Sequence, residues 1–141
     1  MNDGKRRLCW HGMFLFLLGL LTGLVEHKLQ NPRMGLAAHL EGVMNGIFLI
    51  ALAAIWLDLR LSSRQRMVTY WTLLYGTYAN WAVTTLAAIL GTAAMSPITG
   101  AGQGALPWQE ALVTLGLVSV GLAIIAATLL CLWGLRRAMT S

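Results

Sequence analysis

The stretch Gly35-Leu-Ala-Ala-His39-Leu-Glu41-Gly42-Val-Met-Asn45-Gly46-Ile-Phe48 has the apolar character of a membrane helix but carries polar side chains in its middle. Hydrocarbon solvates neither the imidazole of His39 nor the amide of Asn45, so each must face protein, water or a bound cofactor. A neutral imidazole is also a good ligand for iron. This segment is therefore expected to contain a functional site.

The composition of the whole chain is that of a membrane protein. Of its 141 residues, 57% are hydrophobic and only 11% are charged, whereas a soluble domain carries about a quarter charged residues. Four apolar runs each hold about the 20 residues needed to cross a hydrocarbon core. They predict an all-α polytopic protein, a single domain over 1–141 that forms a four-helix bundle, with membrane helices at about 8–26, 35–58, 67–95 and 108–136.

The positions of the basic residues predict the orientation in the membrane. One side carries eight of them: Lys5, Arg6, Arg7, Arg60, Arg64, Arg66, Arg136 and Arg137. The connection between the first two helices has only Lys28 and Arg33, and the third connection has none. By the positive-inside rule both termini are expected on the cytoplasmic side, in a bacterial inner membrane. The net charge of +5 then reflects topology and not nucleic-acid binding.

The second predicted helix places its histidine above a row of small residues. Because successive residues turn by about 100°, Gly42 and Gly46 fall within about 60° of His39, and Asn45 lies about 120° away on the Gly42 side. A flat macrocycle or an aromatic substrate could lie against such a glycine-floored trough. The same glycines are equally what close packing of another membrane helix requires.

The third predicted helix is unusually polar for a membrane span. Thr77, Asn80 and Thr84 lie on one stripe, and Tyr78 lies on a different side. An amide in mid-membrane either links helices or belongs to a site. Counting 1.5 Å per residue puts Tyr78 and Asn80 near the depth of Asn45, so all three are candidates to line one cavity.

Three short motifs, in order, resemble those of the hydroxylaminobenzene mutases and, more distantly, the membrane-embedded styrene oxide isomerases. They are His11-Gly12 in the first helix, His39-x5-Asn45-Gly46 in the second and Ala79-Asn80 in the third. The resemblance covers nearly the whole chain, including the layout of four helices.

The resemblance implies a homotrimer with a b-type haem between neighbouring protomers and His39 as the axial ligand of the ferric iron. Gly42 and Gly46 are then the candidate cofactor surface, and Asn45, Asn80, Tyr78 and Thr84 are the candidate catalytic residues. In the isomerases the third helix also supplies an acidic residue and a tyrosine to the reaction. The matching positions here are Gly76 and Thr84, a departure that fits a different substrate.

The implied reaction rearranges an arylhydroxylamine such as hydroxylaminobenzene to an aminophenol, chiefly the ortho isomer. Since the product is an isomer of the substrate, no reductant or nucleotide is consumed, and a Lewis acid suffices.

Three other functions are compatible with a short chain of four membrane helices. A small four-helix multidrug transporter needs a carboxylate deep in a helix, but Glu26 and Glu110 fall at helix ends and Glu41 is expected to be shallow. A cytochrome b electron-transfer subunit needs two axial histidines at matched depth, whereas His11 and His39 are expected about 20 Å apart along the membrane normal. An assembly protein would use its polar residues only to link helices.

Overall fold

The computed structural model of the protein describes residues 2–139, with side chains described for 3–136. Four helices follow one another: α1 (Asn2–Val25), α2 (Pro32–Ile55), α3 (Ser63–Leu90) and α4 (Pro107–Met139), with a short 3-10 helix at Glu26–Lys28 after α1. All four are long and apolar enough to cross a membrane. The predicted all-α architecture of four spans is confirmed, although α1 begins earlier than predicted and includes the basic residues near the N-terminus. The side chain of Arg137, used in the charge argument, lies outside the described residues.

A capping residue sets the start of α2 three residues before the predicted position. The side-chain oxygen of Asn31 accepts hydrogen bonds from the backbone N–H groups of Arg33 (3.1 Å) and Met34 (3.2 Å), and Pro32 occupies the first helical position. Both features favour a helix start. The amide of Asn31 also donates to the carbonyl of Thr99 (2.9 Å), which ties the α3–α4 connection to this end of α2.

The ends of α3 are likewise set by local chemistry. Ser62 and Gln65 form a reciprocal capping box at its start. The helix stops at Leu90, five residues before the predicted end, because Gly91 adopts a left-handed conformation (φ 69°) and its N–H bonds to the carbonyl of Ala87. Glycine adopts this conformation without steric cost, which is why it ends helices.

Glycines allow α1 and α2 to pack with their backbones in direct contact. A Cβ atom placed on Gly12 would lie 2.8 Å from the carbonyl oxygen of Gly46, and one on Gly19 would lie 2.7 Å from the carbonyl carbon of Gly42. Real Cβ atoms are not found so close to backbone atoms, so any side chain here would push the helices apart. The Gly19-Leu-Leu-Thr-Gly23 segment of α1 thus has the small residues that close packing of membrane helices requires.

The other helices pack in chain order around α2. The second face of α2 meets α3, and α3 in turn meets α4, where Gly76 lies against Ile124 and Gly116 lies against Val83. Among the helices of residues 2–139, α3 is the one whose backbone comes close to that of α4. Helix α2 is therefore placed between α1 and α3, and its polar residues are divided between these two neighbours.

Candidate active site on the second helix

His39 is held by the backbone of α1. Its Nδ1 lies 2.8 Å from the carbonyl oxygen of Gly19, and its ring lies over Gly23, where a Cβ atom would come within 2.7 Å of the same nitrogen. A carbonyl oxygen only accepts hydrogen bonds, so Nδ1 is the protonated nitrogen of the pair. In the neutral ring the lone pair is then on Nε2, which has no hydrogen-bond partner among the described residues.

Glu41 is the centre of a hydrogen-bonded cluster that joins α2 to α3. Its Oε2 accepts a hydrogen bond from the amide of Asn45 (3.3 Å), one turn further along α2, and a second one from the amide of Asn80 on α3. The three side chains are half-buried. We call them the Glu41 cluster. It brings together Asn45 and Asn80, as predicted, but around a carboxylate that sequence reasoning did not include in the site.

The start of α2 places Glu41 further along the helix than predicted. With Pro32 as the first residue, Glu41 is nine residues into the helix, or about 14 Å from its end. Its partner Asn80 lies ten residues before Leu90, the last residue of α3. This is about 15 Å from the end of α3. A carboxylate this far inside a membrane-spanning helix is costly, which makes Glu41 a candidate functional residue. The spacing of Glu41 and Asn45, four residues apart on one helix, is the sequence signal that could have identified it.

The glycine trough of α2 is not open in this protomer, because α1 occupies it. Gly42 faces the backbone of Gly19 and the ring of Trp81, and Gly46 faces the backbone of Gly12 and Phe16. Of the two interpretations of these glycines, the structure supports helix packing. The expectation that they present a bare surface to a flat cofactor is corrected on that ground.

Tyr78 does not join the Glu41 cluster. Its hydroxyl lies 3.0 Å from Nδ1 of His11 and also donates to the backbone carbonyl of His11 (3.3 Å), so it links α3 to α1. The reason is helical geometry, since two residues separate Tyr78 from Asn80 by about 160° around α3. Within the protomer, the structure thus brings Asn45 and Asn80 together but not Tyr78. Thr84 is buried one turn beyond Asn80, on the same side of α3.

His39 and the Glu41 cluster lie on different flanks of α2. Glu41 is about 160° and Asn45 about 120° from His39 around the helix axis. Between them α1 lies on the glycine face, and Trp81 of α3 reaches across to donate its indole N–H to Thr22 of α1 (2.9 Å). A single protomer thus presents an imidazole on one flank and a carboxylate with two amides on the other.

The donor set of the protomer fits a metal that brings its own ligands. Among the described residues no group of three or more His, Cys, Asp or Glu side chains is arranged to hold an ion. A porphyrin supplies four nitrogen ligands and needs only one axial histidine. His39 meets that need, because the hydrogen bond from Nδ1 fixes the ring and leaves Nε2 available, the arrangement in which histidines bind metals.

Known proteins match this chain over nearly its whole length. The family model described as styrene oxide isomerase matches residues 4–136. Hydroxylaminobenzene mutase HabB of Ectopseudomonas oleovorans is 46% identical over 134 residues, which are 94% of this chain and 82% of that protein. Hydroxylaminobenzene mutase HabA of the same organism is 43% identical over 127 residues, which are 89% of this chain and 94% of that protein. No solved structure matches.

These matches confirm the resemblance deduced from the three motifs of α1, α2 and α3. The chain belongs to the styrene oxide isomerase family and is an enzyme of the isomerase class.

Proposed function

We propose that the protein rearranges an arylhydroxylamine, hydroxylaminobenzene above all, to 2-aminophenol by moving the hydroxyl group within one molecule. The names of two relatives at 46% and 43% identity support this substrate. The positions of His39 and the Glu41 cluster supply groups suited to the chemistry. The observation that carries the proposal is the anchoring of His39 through Nδ1, which leaves Nε2 as a metal ligand inside a membrane helix.

We propose ferric haem b as the cofactor, with His39 as the residue that would hold its iron. When bound, the haem supplies a Lewis-acidic iron that polarises the N–O bond of the substrate. The contribution of His39 is to hold the cofactor at one position and depth. The carbonyl of Gly19 orients the imidazole by accepting a hydrogen bond from Nδ1–H.

The Glu41 cluster supplies the groups that orient the substrate. The amide N–H groups of Asn45 and Asn80 both donate to Glu41, so their carbonyl oxygens remain as acceptors. The N–H and O–H groups of an arylhydroxylamine are donors and match these acceptors. Holding the migrating oxygen close to the ring favours intramolecular transfer over release into water. Thr84, one turn from Asn80, extends the same polar side of α3.

The complete site is proposed to form between protomers of a trimer. His39 and the Glu41 cluster lie on different flanks of α2, with α1 between them, so a cofactor on His39 does not face the cluster of the same protomer. In a closed ring of copies, the flank with His39 in one protomer would lie against the flank with the Glu41 cluster in its neighbour. A groove near the N-terminus, lined by Asp3, Arg7 and Trp56 among others, contains none of the predicted site residues.

We also propose a bacterial inner membrane with both termini in the cytoplasm as the location. The four spans and the concentration of basic residues on the side of the termini support this orientation. His39 is then in the outer half of the bilayer.

Two rival functions are less well supported by the same contacts. His11 lies next to Gly12, which packs against Gly46, whereas His39 packs against Gly19 and Gly23. The two histidines are therefore about 12–18 Å apart along α1, too far to ligate one iron as in an electron-transfer cytochrome b. The depth of Glu41 removes the earlier objection to a proton-coupled transporter, but the match to isomerases over 4–136 favours catalysis.

The test is an absorption spectrum and an activity assay on detergent-purified protein. The wild type is expected to show a haem Soret band and to convert hydroxylaminobenzene to 2-aminophenol without added reductant. His39→Ala should lose both. His27→Ala is the matched control, because His27 is exposed in the 3-10 helix, and should keep both. Full turnover by a haem-free His39→Ala protein would exclude the proposed cofactor.

A further inference from the structure

The carboxylate of Glu41 has one oxygen that is fully engaged and one that is free. Oε2 accepts from both Asn45 and Asn80, whereas Oε1 has no partner among the described residues. Within 3–136 the sole buried side-chain oxygen or nitrogen without a hydrogen bond belongs to Glu26. Oε1 of Glu41 has no hydrogen bond and is not one of these buried atoms, so it is accessible from outside the protomer.

Linking two helices does not require a carboxylate. Two amides can hydrogen-bond to each other across a membrane interface, and an ionisable group at this depth is far more costly than an amide. Here the amides instead converge on one oxygen and leave the other exposed on the side where substrate is proposed to bind. A group that can take up and release a proton explains this arrangement better than a structural link does.

The proposed rearrangement requires one proton to move between two atoms of the substrate. Once the oxygen has left nitrogen and bonded to the ortho carbon, that carbon carries both hydrogen and oxygen, and the ring is a non-aromatic imine. The ortho C–H bond must then break, with its electron pair restoring the aromatic ring. The electron pair of the C=N bond moves to nitrogen, which takes a proton. One C–H bond is lost and one N–H bond is formed, so no oxidant or reductant is needed.

We propose that Glu41 is the catalytic base that takes the ortho proton and returns it to nitrogen. Asn45 and Asn80 hold its Oε2, so Oε1 faces the ring carbon and the nitrogen, which are neighbouring positions on the substrate. A carboxylate within reach of both atoms carries the proton between them without access of water. This inference rests on the proposed function and assigns a step to a residue outside the predicted site.

The experiment compares purified, haem-containing wild type, Glu41→Gln and Glu41→Asp with hydroxylaminobenzene and its 2,6-dideuterated form. Glutamine keeps the size and the hydrogen-bond acceptor but cannot carry the proton. Glu41→Gln is expected to keep the Soret band and the thermal midpoint and to lose about 10²–10⁴-fold in turnover, the range of general acid–base catalysis. Its residual reaction should be slowed by ortho deuterium more than that of the wild type. Glu41→Asp should recover part of the turnover.

Glu110→Gln is the matched control, because it removes a carboxylate whose partners are the N–H groups of Ala93 and Ala94 in the α3–α4 connection. It should show wild-type turnover and the wild-type isotope effect. Wild-type turnover in Glu41→Gln would overturn the assignment, as would loss of turnover with no larger isotope effect, or loss of the Soret band. A wild type that does not convert the substrate would instead refute the proposed function.

Discussion

The two flanks of α2 hold their functional groups in different ways. On the α1 side, backbone packing at Gly19 and Gly23 fixes His39, and the one polar contact is to a main-chain carbonyl. On the α3 side, side chains hold one another, and Glu41 is the shared acceptor. A metal ligand needs a fixed ring, which packing provides. A group that moves protons needs exchangeable hydrogen bonds, which packing alone does not provide.

Breaking the packed flank should have the largest effect. Gly19→Ala places a Cβ atom 2.7 Å or less from backbone atoms of α2, and backbone cannot yield as a flexible side chain can. We expect a loss of about 1–3 kcal/mol or more in stability, with loss of the Soret band as His39 moves. Thermal unfolding in detergent measures the first and absorbance the second.

Gly121→Ala is the control for that variant, because a Cβ atom there meets nothing within 4 Å. Alanine is the better helix former by about 1 kcal/mol, so the midpoint should stay constant or rise. Equal destabilisation of the two variants would show that the close contact of α1 with α2 is not what holds His39.

Changing the hydrogen-bonded flank should affect turnover more than folding. Asn80→Ala removes one of the two donors to Glu41 and the link between α2 and α3. We expect turnover to fall about 10–100-fold, which corresponds to about 1.4–2.7 kcal/mol of barrier, while the Soret band is retained. Thr72→Val, which removes only hydroxyl bonds to carbonyls of its own helix, should leave turnover unchanged. Loss of haem in Asn80→Ala would mean that the two flanks are not separable.

The smallest effect is expected at Tyr78, a predicted site residue whose hydroxyl contacts His11 and not the Glu41 cluster. Tyr78→Phe removes the hydroxyl contacts with His11 and should cost about 0.5–1.5 kcal/mol of stability. Turnover per haem should change less than twofold, since Tyr78 is on the other side of α3 from Asn80. A drop as large as that of Asn80→Ala would restore Tyr78 to the site and contradict the division between the flanks.

The boundaries of the helices show how far local signals reach. The four spans were predictable because hydrocarbon demands about 20 apolar residues and a satisfied backbone, both visible in composition. The ends were misplaced by three to five residues where caps decide them, as with Asn31 and Gly91. These caps were readable in principle, because Asn before Pro and Gly after an apolar run are helix start and stop signals.

Sequence alone determined that His39, Asn45 and Asn80 are out of place in hydrocarbon, since the cost of burying a polar group depends on its chemistry and depth. It also determined which residues share a face of one helix, since that follows from 100° per residue. Which helix covers each face was decided only by the tertiary structure. Three contacts depend on how the helices pair: α1 packs on the glycine face of α2, Tyr78 contacts His11, and Glu41 accepts hydrogen bonds from two amides. The periodicity of one helix shows which residues share a face, but it does not show which helix lies against that face.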